Sequence, residues 1–200
     1  MKKVGIFVIL LGLGIFLYYG FNWWQQRQAI QEMDNQELNE YLGYDDTYKK
    51  AIQLNTEEKS TSFQKGDRIG QLSVPEIEKK YPVFWGTDHE TLKSGVGMYD
   101  SQWTVQPNQT GHVFLAGHRD TVFEEMGKLN IGDVVAVEFK GSTYIYQIRK
   151  LFVTEKDDRS VITKKDKSFL TISTCYPFQF VGDAPYRYII QSELIDVKSK

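Results

Sequence analysis

From Val4 to Trp24 no side chain carries a charge, and most are apolar. Wound as an α-helix at about 1.5 Å per residue, that stretch reaches across roughly 30 Å, the thickness of a bilayer's hydrocarbon core. Lys2 and Lys3 precede it, and Tyr18, Tyr19, Trp23 and Trp24 lie at its far end, where aromatic rings suit a membrane–water boundary. The basic start favours a cytoplasmic N-terminus, although Arg27 beyond the run weakens the charge asymmetry. A cleaved leader would need a small-x-small site after the run, and the residues there are bulky. The expectation is an uncleaved, single-pass membrane anchor over residues 1–24, with the rest of the chain outside the cytoplasm.

That location changes how the one cysteine, Cys175, is read. It has no partner for an internal disulfide, and no Cys/His cluster has metal-ligand spacing. A lone thiol inside a cell is usually a small buried hydrophobe. An exported, unpaired thiol risks oxidation and mispairing, so it reads better as a reactive group. The 24 Lys and Arg against 26 Asp and Glu are scattered, without the basic patch that nucleic acid would demand.

After the anchor, residues 25–65 are polar and lack a strong apolar face, as in a stalk or linker. Tyr41, Tyr44, Tyr48 and Ile52 recur at nearly helical spacing, which allows one short helix there. From residue 66 to 200 the pattern becomes short strands between turns. Candidate strands are Arg68–Val74, Pro82–Trp85, His112–Ala116, Val134–Phe139, Thr143–Thr154, Ser168–Thr174 and Arg187–Leu194. Thr87–Ser94 and Thr121–Leu129 read as brief helices. The fold class is therefore mostly β, a closed barrel or a sandwich, with short helices and one N-terminal transmembrane helix.

In Phe169-Leu-Thr-Ile-Ser-Thr-Cys175, alternation puts Phe169, Thr171, Ser173 and Cys175 on one face. Leu170, Ile172 and Thr174 take the other. If this strand forms an antiparallel hairpin with the strand beginning near Arg187, Cys175 and Arg187 become neighbours across the ladder. His118 ends a third strand and is followed by Arg119-Asp120. A thiol ordinarily has a pKa of about 8.5, and fixed positive charge lowers it. A thiolate attacks a peptide carbonyl, an imidazole supplies a proton to the leaving amine, and a guanidinium stabilises the developing oxyanion. Each residue alone has a plain structural reading: a buried thiol, a satisfied histidine, a surface ion-pair partner. Their joint occurrence carries the argument.

Two segments resemble the signatures of the sortase family: Leu115-Ala-Gly-His-Arg-Asp-Thr-Val-Phe123, and Leu170-Thr-Ile-Ser-Thr-Cys-Tyr-Pro-Phe178 with the downstream Val181-Gly-Asp-Ala-Pro-Tyr-Arg-Tyr188. The resemblance implies an eight-stranded β-barrel and a catalytic trio of His118, Cys175 and Arg187. It gives Thr174, before the nucleophile, a supporting place; Asp120 and Tyr176 are weaker candidates for orienting the site or holding substrate. It further implies cleavage of a Leu-Pro-x-Thr-Gly-type sorting signal through a thioester and transfer to an amine of the cell wall or its precursor. Cys-Tyr-Pro-Phe and Gly-Asp-Ala-Pro look most like class D, where Ala often replaces the final Gly of the signal.

Class C pilin polymerases share His-Arg-Asp but typically carry an Asp-Pro-aromatic lid, and this chain has no Asp-Pro dipeptide. Some class A members bind calcium through acidic loops. Asp157 and Asp158 read as a solvated turn, so no cofactor is expected. Papain-like hydrolases place Cys before His, the reverse of the order here, and L,D-transpeptidases keep Arg almost adjacent to Cys. A non-catalytic wall-binding or scaffold domain on the same fold stays open as the alternative.

Overall fold

The structure is a computed structural model that describes residues 2–44, 47–54, 60–179 and 182–199. In chain order the elements are α1 (Lys2–Arg27), β1 (Gln31–Glu32), α2 (Asn35–Asn39), β2 (Arg68–Val74), β3 (Lys79–Trp85), α3 (His89–Ser94), β4 (Val96–Met98), β5 (His112–Gly117), β6 (Val134–Phe139), β7 (Ser142–Glu155), β8 (Phe169–Tyr176) and β9 (Tyr186–Ser199). Hydrogen-bonded neighbours run β3-β2-β6-β7-β9-β8-β5-β4, and a parallel β3–β4 pairing closes the ring into an eight-stranded barrel. Closure removes the exposed strand edges of an open sheet. β1 adds to the start of β3, opposite Lys79 and Lys80.

Alternation sorts the side chains. Leu170 and Ile172 of β8, Val113 and Leu115 of β5, and Tyr144, Tyr146 and Ile148 of β7 fill the barrel interior. The longest strands, β7 and β9, pair over Ser142–Glu155 and Tyr186–Ser199 with two register shifts. Such bulges bend a strand, as a narrow barrel requires.

Val134, Ala136, Ile145 and Ile195 point outward and would form an apolar patch. Residues 28–44 and 47–54, within the stretch expected to be a stalk or linker, lie along the barrel. Tyr41 and Tyr44 pack over the patch. Tyr44 also hydrogen-bonds Asp196 through its hydroxyl. The amide of buried Gln147 donates to the carbonyls of Tyr44, Thr47 and Gly132 and accepts from Lys49 N at 2.9 Å. The tyrosine spacing thus serves coverage of a sheet face. The helix in this region is α2, upstream of those tyrosines and capped by Asp34. The expected linker lies partly outside the described residues, at positions 55–59.

Thr121–Leu129, expected to be helical, forms turns and a single 3₁₀ turn at Met126–Lys128. The cause lies in packing: Phe123 must turn inward to fill the space beside Gly117, where a Cβ would sit 2.6 Å from the Phe123 ring. The Phe123 amide closes this turn onto the His118 carbonyl at 2.9 Å. Gly117→Ala should therefore displace a fully buried ring and destabilise the protein by about 1–3 kcal/mol, read as a lower urea midpoint; an unchanged midpoint would remove this constraint.

His112 is buried, with Nδ1 2.8 Å from the Thr163 carbonyl and Nε2 2.7 Å from Thr171 Oγ1. A carbonyl can only accept, so Nδ1 carries the proton and Nε2 accepts from the threonine. Burial pushes its pKa below the ordinary 6.5, outweighing the opposing Thr163 bond. The unfolded chain then binds protons more readily than the folded one, so stability falls as pH drops below 6.5. His112→Gln should flatten this acid-side loss in thermal melts between pH 7 and 5, whereas an unchanged slope would assign the loss to other groups.

Candidate active site

β8 stands between β9 and β5, antiparallel to the first and parallel to the second. In the β8–β9 ladder Cys175 lies directly opposite Arg187. Paired residues project to the same face, so thiol and guanidinium emerge together. In the β5–β8 ladder the last pair is Gly117 with Thr174, and His118 and Cys175 each follow by one position. Thr174 Oγ1 donates to the Gly117 carbonyl at 2.9 Å, tying the two strand ends together next to both residues. The strand registers thus bring three candidates far apart in sequence to one end of the barrel, with Cys175 and Arg187 on its outer face.

Each of the three is partly exposed. Arg187 donates through Nη1 to the carbonyls of Ala184 at 3.2 Å and Tyr186 at 2.9 Å. These bonds orient the guanidinium from its own strand start. Burial holds the His118 pKa below its ordinary 6.5; Asp120 opposes this shift and His89 adds to it. His89, the first residue of α3, sets its ring edge-on to His118 with centroids 6.2 Å apart. It is solvent-exposed, as its sequence position suggested, yet its proximity to His118 was not legible there. The only clue was a second histidine at the start of a short helix.

Asp120 is exposed, close enough to act on His118 through its charge. Arg119 is buried and reaches away, Nη2 donating to the Gly182 carbonyl at 2.8 Å and bracing the loop between β8 and β9. Tyr176 pairs with Tyr186 in the ladder and, one step on from Cys175, projects to the opposite face. There it stacks on Tyr188 at 6.1 Å, and Phe178 meets both rings edge-on. Phe178 rests on Gly127, where a Cβ would come within 2.8 Å of its ring. These aromatics close the barrel mouth. Phe180 and Val181 lie outside the described residues.

On the outer face, below the candidate trio, a small apolar cluster joins Phe114, Ile189 and Val161, with Ala116, Phe152 and Ile162 against it. Val161 and Ile162 come from the β7–β8 connection, which folds over the sheet and walls the surface leading to Cys175. Sequence reading left this wall out, because two aliphatic residues in a polar loop carry no periodicity. Asp157 and Asp158 belong to the same connection. Asp158 accepts from Thr154 Oγ1 and from the Ser160 main chain. Among the described residues no three His, Cys, Asp or Glu side chains are grouped to hold a metal ion.

Comparison with known proteins agrees with this architecture. The sortase domain family matches residues 72–195. The chain is 35% identical to sortase D of Bacillus subtilis, over 98% of this chain and 100% of that protein. Among solved structures it is similar to the catalytic domain of Bacillus anthracis SrtD, at 44% identity and a TM-score of 0.62, covering 73% of this chain and 99% of that one. It is also similar to a Clostridium perfringens sortase C solved with the C-terminal cell wall sorting motif, at 27% identity and a TM-score of 0.59, covering 66% and 73%. With barrel, match and near full-length relative in agreement, this chain belongs to the sortase family, the cysteine transpeptidases that anchor proteins to the cell wall.

Proposed function

We propose that Cys175 is the nucleophile that cleaves a C-terminal sorting signal of the Leu-Pro-x-Thr-Gly or Leu-Pro-x-Thr-Ala type, with His118 as proton carrier and Arg187 as oxyanion partner. The observation that carries the reading is the double register of β8, which sets Cys175 opposite Arg187 and one step past the Gly117–Thr174 pair beside His118. His118, with its pKa held below 6.5 by burial, is mainly neutral at neutral pH. It takes the thiol proton as sulfur attacks the Thr carbonyl, and gives that proton to the departing amine as the thioester forms. An incoming amine of the cell wall or its precursor then attacks the thioester, loses its proton to His118, and returns the thiol. Arg187, its orientation held by two main-chain carbonyls, offers its remaining donors to the oxyanion in both steps. Thr174 supports the site by its bond to Gly117, and Asp120 by its charge near His118.

The catalytic unit of this reading is residues 66–200, joined by residues 25–65 to an anchor at 1–24. The anchor's basis is the apolar helical span Lys3–Gln25. A single crossing with the N-terminus cytoplasmic would place the barrel outside the membrane. Substrate proteins bearing the signal and a wall-precursor amine are the partners, with no role for a metal or for nucleic acid. The preference for Ala or Gly at the last signal position follows from the class D resemblance.

Incubating the protein with Leu-Pro-x-Thr-Gly and Leu-Pro-x-Thr-Ala peptides and an amine should give cleaved and transferred products by mass spectrometry. Cys175→Ala should abolish both products and the covalent adduct, because no other thiol exists. Appreciable residual cleavage would refute the nucleophile assignment and leave the scaffold reading.

Arg187→Lys keeps the charge and loses the fork. Its kcat should fall by roughly 10²–10³ if the guanidinium serves the oxyanion. A change confined to KM would move Arg187 to ground-state binding.

A further inference from the structure

The route from α1 into the barrel is short. Ile30 N donates to the Arg27 carbonyl at 3.1 Å, ending the helix, and the Ile30 side chain already packs against the barrel core. β1 follows at once on the start of β3, and Met33 N bonds the Glu78 carbonyl at 2.8 Å. Arg27, stacked over Trp23 at 4.9 Å, extends Nη2 to Glu124 Oε2 at 2.7 Å. Glu124 lies six positions after His118, in the turn that follows it. The apolar helix is therefore clasped to the loop that carries the candidate histidine.

Strand directions decide which end of the barrel this is. β3 is parallel to β4, and β4 is antiparallel to β5, so the start of β3 and the end of β5 share one end. β8 runs parallel to β5, which brings Cys175 to the same end, and Arg187 with it. The rim at this end also carries two exposed aliphatic side chains. Leu42, 70% exposed, and Ile131, 66% exposed, project from segments that flank the start of β6 at this end. Glu37, Glu124 and Glu125 on the rim are each paired with a Lys or Arg, which lessens their repulsion from an anionic surface. Trp103 lies at the opposite end, in the β4–β5 connection.

We infer that the barrel end carrying His118, Cys175 and Arg187 faces the bilayer, with Leu42 and Ile131 resting among lipid headgroups. This rests on the reading of α1 as a membrane anchor. The tether is too short for any other end to approach the membrane closely: residues 28–30 span at most about 10 Å even when extended. The groove at Cys175 then opens along the bilayer surface, and the substrates it takes are ones presented at that surface.

Full-length Cys175→Ala protein carrying one new thiol, from Leu42→Cys, Ile131→Cys or Trp103→Cys, is labelled with a fluorophore and reconstituted into phosphatidylcholine–phosphatidylglycerol vesicles. Headgroup-nitroxide lipid should quench the labels at positions 42 and 131 at least about threefold more than the label at 103. Equal or reversed quenching in protein that floats with the vesicles overturns the orientation. Protein that does not float overturns the anchor reading, and the inference with it. In the active protein, inserting about fifteen Gly and Ser residues after Gln28 gives the barrel roughly 20 Å of freedom. Turnover of a vesicle-tethered signal peptide should then fall at least about fivefold relative to the same peptide in solution, and an unchanged ratio would sink the proposal.

Discussion

The hydrogen-bond register of β8 against its two neighbours governs everything the candidate site does. Side chains alternate with a period of two, so slipping β8 by one residue against β9 would turn Cys175 into the core and offer Tyr176 to Arg187. No local feature of the Cys175 segment prevents this slip. What prevents it is burial: Leu170 and Ile172 must stay inside, and ring closure leaves no free edge along which register could drift. The β3–β4 seam makes the closure possible. At Gly97 a Cβ would stand 2.3 Å from the Gly86 carbonyl, so only glycine lets the chain pass there. A seam remote in sequence from Cys175 thus helps hold the sulfur where Arg187 can meet it.

The outer surface of the barrel is covered in two places. Tyr41 and Tyr44 cover one apolar patch, and Val161 and Ile162 cover another. At roughly 25 cal/mol per Å² of apolar surface, each cover is worth a few kcal/mol, enough to make these non-strand segments part of the folded unit. The strip left between the β7–β8 connection and the His118 turn is the one that exposes Cys175. The site thus lies on a part of the outer face that neither cover reaches.

Much of this was legible in the sequence, for identifiable reasons. Arg68–Val74 and Val134–Phe139 have the bounds expected of them, because apolar alternation ends there at turn residues. The Cys175–Arg187 pairing followed from two strands of clear alternation with a loop between them. β4 escaped notice because three residues, Val96-Gly97-Met98, are too few to establish a period. The packing of residues 28–44 and 47–54 escaped because their partners lie far downstream: Tyr44 meets Asp196, and Lys49 meets Gln147. The meeting of His89 with His118 escaped for the same reason, being set by tertiary approach and not by spacing.

That unforeseen histidine bears on how the proposed chemistry works. A proton carrier between a thiol and an amine must start neutral and become cationic for part of each cycle. Burial and the His89 ring both favour the neutral imidazole, while the Asp120 carboxylate favours the cation. Desolvation is the largest of these, so His118 rests neutral; Asp120 keeps the cation accessible when the proton arrives. Asp120 is exposed, so its help is screened by solvent and stays modest. An exposed carboxylate two residues along the chain thus opposes the effect of burial without overcoming it, a balance that suits the proton carrier proposed for His118.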